Sequence, residues 1–265
     1  MKFATSASTL VSTLLAVLLG STVAQAQQSP TSDSAPAEMP AEAEAPPLDY
    51  LDLRRVATIS GNAAAGQAKS ELCAACHGPQ GISIAPGFPN IAGQSADFMY
   101  WQLVEYKRGV NPSPMTPLVA DLSDQDMRDL SVYYAAMPAD GAPSTGQEAL
   151  IAAADPAQLQ LGEQLYLSGD PGKGIPSCQG CHGADARGPA AADRANRSGH
   201  HPYAGYPSLR GQQSTYLQTK LGDYRDGNIG DSTSDFVMTG VAKRLDDASI
   251  QALSTWLSSL PATDR

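Results

Sequence analysis

Apolar positions recur at helical spacing along most of the chain. SADFMYWQLVEYKRG (95–109) and QSTYLQTKLGDYRDG (213–227) predict two amphipathic helices after Gly-Gln turns, with Gly109 and Gly227 as their C-terminal stops. SDQDMRDLSVYYAAMP (123–138) and DDASIQALSTWLSSLP (246–261) predict two more. These are opened by Ser123 and by an Asp of the DD pair, and closed before Pro138 and Pro261. AAAGQAKSELCAACHG (63–78) and PAQLQLGEQLYLSG (156–169) read as first helices, each running toward a C-x-x-C-H pentapeptide. Alternating strand patterns do not persist anywhere. The Gly- and Pro-rich remainder, including NPSPMTPLVADL (111–122) and DGNIGDSTSDFVM (226–238), reads as loop. The predicted fold class is all-α.

The same pattern occurs twice. GFPNIAGQSADFMYWQLVEYKRG (87–109) aligns without gaps on GYPSLRGQQSTYLQTKLGDYRDG (205–227). Gly87, Pro89, Gly93, Gln94, Leu103, Tyr106 and Gly109 match Gly205, Pro207, Gly211, Gln212, Leu221, Tyr224 and Gly227. A second ungapped match runs from Met115–Pro138 to Met238–Pro261. The chain is therefore two copies of one unit. The second copy carries an insertion at about 184–204, which adds 13 residues between its C-x-x-C-H and Pro207.

The N-terminus is of another kind. Lys2, the apolar run Leu10–Gly20 and Ala24-Gln25-Ala26 make a secretory signal peptide over 1–26, with an uncleaved anchor as the alternative. Residues 27–55 read as a Pro/Ala-rich acidic linker, too poor in apolar residues to fold. Residues 27–50 alone hold five of the ten net negative charges. The expected domains are 56–140 and 141–265. They are mildly acidic and lack the basic face that nucleic-acid binding needs.

All four cysteines fall in CAACH (Cys73, Cys76, His77) and CQGCH (Cys178, Cys181, His182). Disulfides, a redox dithiol or a zinc site would leave the adjoining histidines unexplained. C-x-x-C-H attaches c-type haem: two thiols bond the porphyrin edge and the next residue's imidazole reaches the iron. Two such motifs imply two covalent haem c groups and an exported protein. With only four Phe and two Trp, the cores are thin, so each porphyrin is expected to belong to the fold as well as the site.

The sixth ligand follows from the repeat. After Cys178 the only methionine is Met238. Of Met99, Met115, Met127 and Met137, only Met115 aligns with it; the other three face Leu217, Ile250 and Leu260. Met115 and Met238 are thus the expected axial ligands, and His/Met ligation favours electron transfer. His200 and His201 have no counterpart in the first copy and read as solvated loop residues, as does the charged remainder of the insertion.

These two C-x-x-C-H units, with their GQ…Y…L…Y…G helices and their M-x6-L before the last helix, resemble the dihaem cytochrome c4 family over about residues 56–262. The resemblance implies two tandem class I cytochrome c domains related by pseudo-twofold symmetry, with propionates facing the domain interface. It implies an electron carrier rather than an enzyme, located in the periplasm, with redox-protein partners such as a terminal oxidase and no small-molecule substrate. Cys73, Cys76, His77, Met115, Cys178, Cys181, His182 and Met238 match the family's haem residues. A monomeric or loosely membrane-associated protein is expected. An electron-accepting subunit of a dehydrogenase and a dihaem peroxidase are the alternative functions. The acidic tail and the insertion depart from the family pattern.

Overall fold

The computed structural model describes residues 50–261 apart from 112, 140–144, 191 and 193. The signal peptide and nearly all of the acidic linker lie outside the described residues. Among these, secondary structure is helical; the only β pairing is two isolated bridges, Leu51 with Ser232 and Asp170 with Ile175. No helix of the described residues is long and apolar enough to cross a membrane.

Helices α1 (Ala63–Lys69) and α2 (Glu71–His77) replace the single helix expected before His77, with the break at Ser70. Helix α3 spans Ala96–Arg108, α4 Thr116–Val119 and α5 Asp124–Ala135. The second copy supplies α7 (Pro156–Ser168), α8 (Gln179–His182), α9 (Ser214–Asp226), α10 (Thr233–Ala242) and α11 (Asp247–Ser259). Between the copies lies α6 (Thr145–Ala152), a helix outside the repeated pattern.

The caps are those the residue types dictate. Ser123 and Asp126 form a reciprocal capping box, Asp246 caps α11, and Gly109 and Gly227 end α3 and α9 in the left-handed conformation. Each half is built on one close helix pair, α1 with α5 and α7 with α11, against which α3 or α9 packs. At both crossings a glycine lets backbones touch. A Cβ on Gly66 would lie 2.1 Å from the Asp129 carbonyl oxygen, and one on Gly162 would lie 2.2 Å from that of Ala252.

Two expectations are corrected. Both methionine-bearing segments are partly helical. Met115 itself opens α4, with Pro117 in the first turn where its missing N–H is not needed. Met238 lies inside α10, which Ser232 caps by accepting from Asp235 N. The end of the supposed linker is also ordered. Leu51 pairs with Ser232 and Leu53–Arg55 forms a 3₁₀ turn against α10. Backbone bonds to a partner in the other half hold this stretch, which composition alone does not reveal.

The two halves meet through a reciprocal exchange. The Gln94 side chain donates to Ser208 O (2.9 Å) and accepts from Ser208 N (2.9 Å). The Gln212 side chain donates to Asn90 O (2.9 Å) and accepts from Asn90 N (2.8 Å). The aligned residues trade places across the contact, which is what a local twofold requires. Both glutamines are buried. In the sequence they mark only turns, and their identity in both copies is the signal that points to this contact.

Candidate haem centres

His77 and His182 end α2 and α8, and both are buried. His77 Nδ1 lies 2.9 Å from the Pro89 carbonyl and His182 Nδ1 lies 3.0 Å from that of Pro207. A carbonyl can only accept, so Nδ1 carries the proton and Nε2 keeps its lone pair for a metal. Burial lowers both imidazole pKa values, which favours the neutral, ligating form. Just beyond each histidine, Gly78 (φ 78°) and Gly183 (φ 80°) turn the chain sharply. A Cβ at either would lie 2.1 Å from a carbonyl oxygen, of Ile82 or Gly188, so only glycine fits.

The prolines are placed by matching turns. Ile91 N and Ala92 N donate to Gly81 O, while Leu209 N and Arg210 N donate to Ala186 O. Gly81 and its counterpart Ala186 both have positive φ, at 71° and 63°. The 13-residue insertion loops out between these fixed points, so the second site keeps the first one's geometry.

One cavity of about 960 Å3 runs through both halves. Its lining includes Cys73, Cys76, His77 and Met115 from the first copy, and Cys178, Cys181, His182 and Met238 from the second. All eight residues singled out in the sequence are thus brought to one space. None of the four cysteines is paired with another in a disulfide. Among the described residues, no cluster of three or more His, Cys, Asp or Glu could hold a zinc ion. Met99 and Met127 are buried, Met99 also lines the cavity, and Met137 packs against the cluster that holds Met99. His200 and His201 do not line the cavity.

The donor set fits haem c: paired thiols next to an imidazole with a free Nε2, a thioether, and walls that are mostly apolar. Trp101 Nε1 is buried without a hydrogen-bond partner and its residue lines the cavity, leaving an N–H for a carboxylate of a seated ring.

Tyr106 and Tyr224 also line it, and the Lys220 ammonium lies 5.8 Å from both ring centroids. Burial raises both phenol pKa values. Beside them Glu105, on α3, is only 4 % exposed. Burial first, and then Asp235, push its carboxyl up to about 7. Arg108, at the end of α3, ion-pairs with buried Asp231 of the other half at 2.8 Å, whereas Arg225 pairs with Asp226 and Asp247 at the surface.

Comparison with known proteins agrees with this geometry. The cytochrome c family profile matches residues 63–137 and again 159–261. Cytochrome c4 of Azotobacter vinelandii is 34 % identical over 222 residues, covering 79 % of this chain and 94 % of that protein. The thiosulfate dehydrogenase electron acceptor of Thiomonas intermedia is 31 % identical over 225 residues, covering 80 % and 94 %. The crystal structure of reduced cytochrome c4 from Pseudomonas stutzeri superposes with a TM-score of 0.61 at 35 % identity, covering 76 % of this chain and all of that one.

Proposed function

This chain belongs to the cytochrome c family and, within it, to the dihaem cytochrome c4 electron-transfer proteins, and we propose that it carries single electrons in the periplasm toward a membrane terminal oxidase. Its partners are redox proteins. Haem c, two per chain, supplies reversible one-electron chemistry at iron. The remaining roles fall to the protein. Cys73 with Cys76 and Cys178 with Cys181 anchor the rings. His77 and His182 present Nε2, each oriented by a proline carbonyl. Met115 and Met238 would supply the thioether ligands. The apolar wall would keep water from the bound rings, and the Gln94/Gln212 exchange fixes one half against the other. The domains are assigned to 56–140 and 141–265, with 1–26 removed on export and the protein acting as a monomer.

The observation that carries this reading is the double occurrence of one His/Met/Cys-x-x-Cys set along one shared cavity. A spectroelectrochemical titration of the parent, Met115→His and Met238→His tests it. Each substitution is expected to lower the reduction potential of one haem only, because imidazole stabilises the ferric state better than thioether. Each should also remove one methionine-to-iron charge-transfer band. An unchanged spectrum in either variant overturns that ligand.

The similarity to a thiosulfate dehydrogenase electron acceptor favours a second reading, an accepting subunit bound to a dehydrogenase. A stable stoichiometric complex with a catalytic subunit, recovered from periplasm by size exclusion, would select it over the free carrier.

A further inference from the structure

The two axial methionines are held differently. Met115 sits between Pro114 and Pro117, and its N–H donates to Ser113 Oγ at 3.1 Å. Before Met238 there is no proline between Gly227 and the methionine, yet the stretch is not loose. Leu51 N donates to Asp231 O and Thr233 N donates to Leu51 O, both at 3.0 Å. Leu53 N donates to Thr233 Oγ1 at 3.0 Å, and Tyr50 Oη donates to Ser232 O at 2.5 Å. Four hydrogen bonds therefore fasten the N-terminal segment to three consecutive residues at the start of α10.

The same chain is tied to the first half a few residues later. Ile59 N donates to Asp97 Oδ1 (2.9 Å) in the first turn of α3, and Asn62 N donates to Asp129 Oδ1 (2.8 Å) on α5. Arg108 adds two bonds to Asp231, at 2.8 and 3.0 Å, and Asn111 Oδ1 accepts from Gly230 N. Asp231, Ser232 and Asp235 are almost wholly buried. Leu53 lines the same cavity as Met238.

We propose that residues 50–55 are an interdomain strap, by which the first domain positions the axial ligand of the second haem. Ser232 lies less than two helical turns before Met238, so fixing the N-terminus of α10 fixes the sulfur. In domain 1 prolines restrict the ligand's backbone; in domain 2 the segment that leads into the other domain does so. The family's matched region begins at residue 63, and the strap lies before it.

This inference rests on Met238 being a ligand, and its test separates the two claims. Full-length, haem-loaded ferric protein is titrated with cyanide, which binds only when the methionine has left the iron. Leu51→Pro removes the N–H given to Asp231, and Thr233→Val removes the acceptor for Leu53 N, while Thr233→Ser keeps it. Apparent affinity scales with the population of the open state. Leu51→Pro and Thr233→Val should raise cyanide affinity about tenfold at one haem, and Thr233→Ser should match the parent. Met238→Ala identifies that haem by abolishing its charge-transfer band. If both bands survive Met238→Ala, the ligand assignment falls and the strap with it. If one band is lost but the strap variants bind cyanide like the parent, or shift both haems equally, the strap alone falls.

Discussion

A Gly162→Ala variant is expected to lose about 4 kcal/mol of stability in its C-terminal half. Adding one methyl group to a helix interior normally helps, since alanine exceeds glycine in helix propensity by about 1 kcal/mol. Here the new Cβ would meet the Ala252 carbonyl oxygen at 2.2 Å and Trp256 Cβ at 2.6 Å. No flexible end can swing away from that contact. Helices α7 and α11 must separate, which opens the cluster of Leu165, Tyr166, Leu253 and Leu257. Domains are stable by only about 5–15 kcal/mol, so the loss is a large share of the total.

Gly66→Ala should act alike in the first half, where the Cβ would meet Asp129 O at 2.1 Å and Tyr133 Cβ at 2.8 Å. Gly240 on α10 is the control: it is exposed and a Cβ there would meet nothing within 4 Å, so Gly240→Ala should gain up to about 1 kcal/mol. Urea unfolding of the haem-loaded protein measures all three. A Gly162→Ala midpoint equal to the parent's would show that the helices do not meet on backbone.

The second large effect is a fall in stability as pH rises from about 5 to 8, removed by Glu105→Gln. Burial raises the Glu105 carboxyl from 4.5 to about 7. Asp235 and Asp231 on the facing domain contribute to that rise, while Ser232 and Lys220 oppose it. Between these two values the folded protein holds a proton that the unfolded chain has released. Stability therefore declines through this window and levels off above pH 7. A shift of this size corresponds to about 3 kcal/mol. Thermal unfolding of parent and Glu105→Gln at pH 5 and pH 8 isolates the contribution, because other groups titrate alike in both. The variant should gain relative stability at pH 8. Equal pH slopes in the two proteins would mean that Glu105 is not held neutral.

The sequence by itself determined the helical class and the repeat, and it singled out the eight residues proposed to hold the haems. These rest on local chemistry: C-x-x-C-H needs five adjacent residues, caps act over three, and aligning two copies separates Met115 from Met99, Met127 and Met137. Tertiary structure decided what depends on approach between distant segments. Gly66 and Gly162 look like ordinary helix residues until another helix's carbonyl is placed against them. Gln94 and Gln212 look like turn residues until each faces the other copy's backbone. Residues 50–55 look like the end of a disordered tail, because composition reports how much surface a segment can bury alone. Their order comes from backbone groups of Asp231, Ser232 and Thr233 and from the Thr233 hydroxyl at the start of α10. A backbone pair such as Leu51 N with Asp231 O leaves no local pattern, since a backbone hydrogen bond is indifferent to the side chains of the residues that make it.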